Sequence, residues 1–172
     1  MPDLFGTEQY GRVDRSAEVS ECGRYRWWLR RSYQRGGDGR VACFVMLNPS
    51  TADGTEDDPT IRRCLGFVRA WGYSVLSVRN LFAYRATDPK ELLTADNPTG
   101  GARGNVELLA AMSADLVVAA WGAGGNLFGR DKEVLGFLRG KPLHCLGLTK
   151  GGHPRHPLYV RGDQQPVLFR EG

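Results

Sequence analysis

Lysine is scarce in this sequence. Only Lys90, Lys132, Lys141 and Lys150 interrupt 23 basic residues that are otherwise arginine. Arginine suits phosphate and stacking contacts, yet a GC-rich genome gives the same bias, so the excess permits a nucleic-acid partner without requiring one. The net charge of +4 and the pI near 9.0 carry the same message. Cysteine is sparse as well: Cys22, Cys43, Cys64 and Cys145 lie far apart, with no Cys-x-x-Cys pair and no metal-ligand spacing. That argues against a disulfide scaffold or a zinc site, and Cys43, Cys64 and Cys145, in apolar surroundings, read as core thiols. No apolar run is long enough to span a bilayer and no signal peptide is visible, so a cytoplasmic protein without a membrane partner is expected. There is no repeat, low-complexity tract or linker. A chain of 172 residues therefore reads as a single domain, residues 1–172, able to bury a real core.

Phosphate-binding signatures are missing too. No Walker motif occurs, and Gly122-x-Gly124-Gly125 fails the third spacing of a dinucleotide fingerprint. Those glycines read as a tight turn, with phosphate contact as the alternative. No cofactor, no metal and no protein partner is expected.

What is present alternates between strand and helix. Residues 1–22 are polar and weakly patterned and read as an N-terminal arm. Residues 24–33 alternate, with Tyr25, Trp27 and Leu29 on one face and Arg24, Arg26, Trp28 and Arg30 on the other. The turn-forming 35–40 segment then predicts a β-hairpin into the apolar strand 41–47. Asp58-Pro59 starts a helix whose Ile61, Cys64, Leu65, Val68 and Trp71 share a face, ended by Gly72. Strands follow at 73–78, 116–121 and 143–148. A short helix is expected after Asp88-Pro89, then helices at about 103–113, with Val106, Leu109 and Met112 inward, and 127–139, with Leu127, Val134, Leu135 and Leu138 inward. This order predicts a three-layer α/β/α sandwich around a mainly parallel sheet, with the N-terminal hairpin as an antiparallel edge.

In a parallel sheet the carboxyl ends of all strands share one edge, where ligands bind. The segments expected there supply Asn48 and Asp53, then Asn80 and Phe82, then Trp121, then His153 and His156. His144 sits within an apolar strand and reads as a core histidine. Asn48 can orient a water or merely close its own turn, and His156 can act on a ligand or be tied to backbone.

The order of these motifs resembles the uracil-DNA glycosylase superfamily. Met46-Leu47-Asn48-Pro49 is similar to that family's water-positioning motif, Val78-Arg79-Asn80 to its base-reading strand end, and His156-Pro157-Leu158-Tyr159 to its late histidine motif. The sequence also resembles a family of small bacterial and phage proteins whose shared domain has no assigned function. Leu47-Asn48-Pro49-Ser50-Thr51-Ala52 and the run from Thr149 and Lys150 to Tyr159 carry that likeness, over about residues 24–160. The chain departs from the glycosylase pattern at Met46 and Ser50, lacks the second proline after His156, and offers His153-Pro154 as a competing alignment. These departures point away from uracil itself.

The resemblance implies a DNA glycosylase that hydrolyses the N-glycosidic bond of a modified base flipped out of DNA, leaving an abasic site. Phage DNA with hypermodified bases is the implied target, and antiviral defence the implied setting. Asn48 would orient water with help from Asp53, or else Asp57 or Asp58, while His156 would favour the departing anion. Ser50, Asn80, Lys150, His153 and Tyr159 would contact substrate, with Phe82 or Tyr84 stacking on the base. Arg24, Arg26, Arg30 and Arg155 would contact phosphates. The rivals are a non-catalytic nucleic-acid-binding module and a hydrolase of a free modified nucleotide.

Overall fold

The computed structural model describes residues 11–36 and 38–172. Residues 1–10 of the expected arm lie outside them. Residues 13–19 are not an arm but the edge strand β1 (Val13–Val19) of a seven-stranded sheet. The other strands are β2 (Arg26–Tyr33), β3 (Val41–Met46), β4 (Val75–Asn80), β5 (Leu116–Ala119), β6 (Leu143–Cys145) and β7 (Val167–Arg170). Their order across the sheet is β1-β2-β4-β3-β5-β6-β7. The four central strands are parallel, and the flanking pairs are antiparallel.

β3 is the apolar strand expected at 41–47, and it lies at the centre. Ala42, Phe44 and Met46 enter one core cluster while Cys43 and Val45 enter or border the other, as the period of two requires. Helix α1 (Pro59–Ala70) covers the first face with Ile61, Cys64, Leu65, Phe67 and Val68. Helices α2 (Gly101–Leu109) and α3 (Arg130–Phe137) cover the second through Leu108, Val134 and Leu138. The chain leaves β3 for β4 on one side and later returns to β5 on the other. Right-handed crossovers in opposite directions put their helices on opposite faces. Each fully buried side chain such as Phe44 or Ile61 contributes about 1.5–3 kcal/mol. Of the four cysteines, all free, Cys43, Cys64 and Cys145 are buried and Cys22 is exposed. Burial pushes the Cys43 thiol up to about 11.

Three expectations need correction. The hairpin does not join residues 24–33 to 41–47: β2 pairs with β1 and β4, because β4 occupies the place beside β3. In α2, Val106 and Leu109 are 60% and 46% exposed, while Gly104 and Leu108 face inward. A Cβ at residue 104 would stand 1.9 Å from the Thr99 carbonyl oxygen, so the helix presses its glycine against the preceding loop. In β2 the register jumps from Glu18↔Trp28 to Val19↔Arg26 and leaves Trp27 unpaired. Such a bulge shifts the alternation by one. Arg26 therefore joins Leu29 and Arg31 on the α1 face instead of standing outside with Trp28.

The α1 face of β2 also holds the loop after β3. Arg31 is fully buried and donates to Asp57 Oδ1 at 2.6 Å, the Asp53 carbonyl at 2.6 Å and the Glu56 carbonyl at 3.0 Å. It fastens residues 53–57 to β2. On the other face, buried Arg130 donates to the Leu81 carbonyl, Asn105 and Glu133, holding the end of β4. Among the described residues, no helix is long and apolar enough to cross a membrane.

Candidate functional site

β4 and β5 flank β3 on opposite sides, so the loops leaving β3 and β5 diverge and open a crevice at the carboxyl edge. A cleft of about 420 Å³ lies there. Its lining includes Asn48 and Ser50 after β3, Asp58 before α1, Asn80 closing β4, Trp121 and Gly122 after β5, and His156 and Tyr159 after β6. Backbone bonds align these segments: Leu81 and Phe82 donate to the Met46 and Leu47 carbonyls at 2.8 and 2.9 Å, and Gly122 to the Pro154 carbonyl at 2.8 Å. Gly122 has φ +71° and ψ −168°, a conformation open essentially to glycine alone, and brings the β5 loop against His156.

The Asn48 amide is held in one orientation. Its Nδ2 donates to the Ala86 carbonyl at 2.8 Å and the Pro49 carbonyl at 3.0 Å. Both donor hydrogens are used, and among the described residues no hydrogen bond engages Oδ1, which is left as an acceptor. His156 is oriented as well. The Leu158 backbone N–H donates to its Nδ1 at 3.2 Å, so the neutral ring carries its proton on Nε2. Burial holds its pKa below the usual value, and the Asp58 carboxylate works in the opposite direction. The ring leans on Tyr159 with centroids 5.6 Å apart.

Asp58 is the acid of the cleft. Its Oδ1 accepts from the Ile61 N–H at 2.8 Å and caps α1, and among the described residues no hydrogen bond engages Oδ2. Asp53 does not line the cleft. It closes its own turn, accepting from the Glu56 and Thr55 backbone N–H groups, which hold its carboxyl below the usual range. Asp57 pairs with Arg31 and Arg15 instead.

Other candidates separate in the same way. Asn80 is buried in the cleft wall and accepts from Arg26 Nη2 at 3.3 Å. Phe82 is fully buried in the core against Phe128, and Tyr84 packs against Tyr25 outside the cleft, so neither is placed to stack on a base. His153 hydrogen-bonds Thr149 within its loop and Lys150 is exposed; neither lines the cleft. Arg26 is not a surface phosphate contact, being 3% exposed within the cleft. Arg30 stands mid-strand opposite Ser77, away from the carboxyl edge. Arg24 and Arg155 are exposed on loops, Arg155 donating to the Leu148 carbonyl at 3.0 Å.

A family model described as "Protein of unknown function (DUF1643)" matches residues 26–158, well over half of the chain. The chain belongs to this family. No curated protein matches it. The DUF1643 span begins at Arg26 and contains Asn48, Asp58, Asn80, Trp121 and His156, so all of these cleft residues fall within it, and Tyr159 lies one residue beyond. Arg26 was misassigned by simple alternation, because a bulge leaves no clear mark in sequence. Asp58 was legible as a helix cap and stood only as an alternative to Asp53 for the carboxylate of the site. Thr87 and Pro89, also in the lining, carried no signal beyond their turn chemistry.

Proposed function

We propose that this protein hydrolyses the N-glycosidic bond between deoxyribose and a modified or non-standard base in DNA, leaving an abasic site. The observation that carries this reading is the pairing of a fixed Asn48 amide with a fixed His156 ring in one cleft. Asn48 Oδ1 orients a water. The water oxygen attacks the anomeric carbon, its proton passes to Asp58 Oδ2, and the carbon–nitrogen bond breaks. The base leaves with the bonding electron pair while His156 Nε2–H donates to it. A base taken out of the stack suits a cleft of about 420 Å³. Leu158 and Tyr159, 44% and 78% exposed directly after the His156-Pro157 pair, support contact with a duplex.

A second reading, hydrolysis of a free modified nucleotide, draws support from the arginines: Arg26 lies inside the cleft and Arg30 away from it. One experiment separates the two. DNAs bearing different modified bases are incubated with the protein and probed for alkali-labile abasic sites, alongside the matching free nucleotides. Abasic sites in DNA support the first reading. Base release from nucleotides alone supports the second, and release from neither leaves a binding module. Binding to DNA should also weaken steeply with salt, through counterion release.

A further inference from the structure

We propose that the floor of the cleft is an oxyanion seat, in which Arg26 and Asn80 take the oxygens of a carboxylate or phosphate carried by the ligand. The two come from β2 and the end of β4, and they are 3% and 8% exposed. Both line the one cleft, and a hydrogen bond joins them. Arg26 Nε and Asn80 Nδ2 are buried hydrogen-bond donors without a partner among the described residues. Trp121 Nε1 shares that condition, but its ring packs on the opposite face of the sheet against Phe169 and Gly125. Folded chains seldom leave buried polar groups unpaired. Two donors orphaned on one bonded pair mark a surface completed by something that only accepts.

Arg26 fixes the polarity. Its Nη2 donates to Asn80 Oδ1 at 3.3 Å. A guanidinium has no acceptor, so the amide oxygen must face it and the NH2 group turns elsewhere. Asn80 thus offers a ligand donors alone. An imide edge, which presents a donor beside an acceptor, would need both halves of the amide. Arg26 Nη1 donates to the Ala52 carbonyl at 2.8 Å, so both partners of the guanidinium are neutral. Among the described residues no carboxylate lies within ion-pair distance of it. Asp58, the acid of the cleft, acts on Arg26 through space without an ion pair among the described residues, so the open Nε–H is left for an anionic ligand, in a charge-assisted hydrogen bond.

The assignment rests on the reading of this cleft as the base pocket, which makes a carboxylated base the expected carrier of the oxyanion. Calorimetric titration of the full chain with 5-carboxy-2′-deoxyuridine, 2′-deoxyuridine and 2′-deoxyuridine 5′-monophosphate tests it. The carboxylated nucleoside should bind about tenfold or more tightly than deoxyuridine. Preference for the monophosphate would keep the seat and identify its oxyanion as a phosphate. Asn80→Asp hands Arg26 a carboxylate of the protein's own, which preserves the fold and should abolish the preference for either anion. Equal binding of all three probes, or an Asn80→Asp variant that retains the preference, overturns the proposal. Binding is read without turnover, so a seat that binds anions in a protein that releases no base would refute the glycosylase reading alone. Base release by a protein indifferent to anions would refute only the seat.

Discussion

Asp58 combines a structural and a chemical task, and two substitutions separate them. Oδ1 caps α1 through the Ile61 N–H at 2.8 Å, and the residue also lines the cleft. Asn caps as well as Asp, so Asp58→Asn should retain the helix start and lose only the charge. Asp58→Ala loses both. Loss of the cap costs about 1 kcal/mol, and in a chain of this size that lowers Tm by about 2–4 °C. If Asp58 takes the proton from the attacking water, both variants should slow base release about 100-fold or more. Removing its charge should also lower the His156 pKa further, since Asp58 is the group that raises it. Thermal unfolding reads the first effect, a single-turnover base-release assay the second and NMR titration the third. An Asp58→Asn variant with wild-type base release would reduce Asp58 to a cap. An Asp58→Ala variant with unchanged Tm would remove even that.

Arg31→Met should destabilise the protein by about 3–5 kcal/mol in urea, as expected when one partner of a buried ion pair is removed, because Asp57 and two loop carbonyls lose their donor. A loss below about 1 kcal/mol would contradict that role. Gly104→Ala should destabilise despite alanine's better helix propensity, since its Cβ would meet the Thr99 oxygen at 1.9 Å; a rise in Tm would show that α2 is free to move. His156 should titrate below its ordinary 6.5, because burial disfavours the charged ring. Between its folded pKa and 6.5 the unfolded chain binds more protons, so stability rises with pH and is lost on acidification through that window. His156→Gln should flatten that slope, and an NMR midpoint at or above 6.5 would contradict the burial argument.

The parallel centre was legible because β3 and β5 are apolar on both faces and the strands are separated by recognisable helix starts. Asp58-Pro59 and Asp88-Pro89 both cap as expected. The convergence of Asn48, Asn80, Trp121 and His156 followed from the shared direction of the strands alone. The edges were harder. β1 carries Asp14, Arg15 and Glu18 on a solvated strand, where charge protects an edge and erases the hydrophobic signal. β7 is short and mostly exposed. α2 was read from its large side chains, yet its contact surface is built on Gly104. Within the site, sequence spacing could not separate Asp53, Asp57 and Asp58, three acids within six residues of one loop. Only the path of the loop, fixed by Arg31, assigns them to a turn, an ion pair and the cleft.

The central claim is tested most directly by comparing wild type with Asn48→Ala on a DNA carrying a base that the wild type releases. The substitution removes Oδ1 and leaves Arg26, Asn80 and Trp121 in the cleft. DNA binding should be retained and base release should fall about 100-fold or more. A variant that binds DNA and releases base at the wild-type rate would contradict the account, leaving Asn48 as the closure of its own turn.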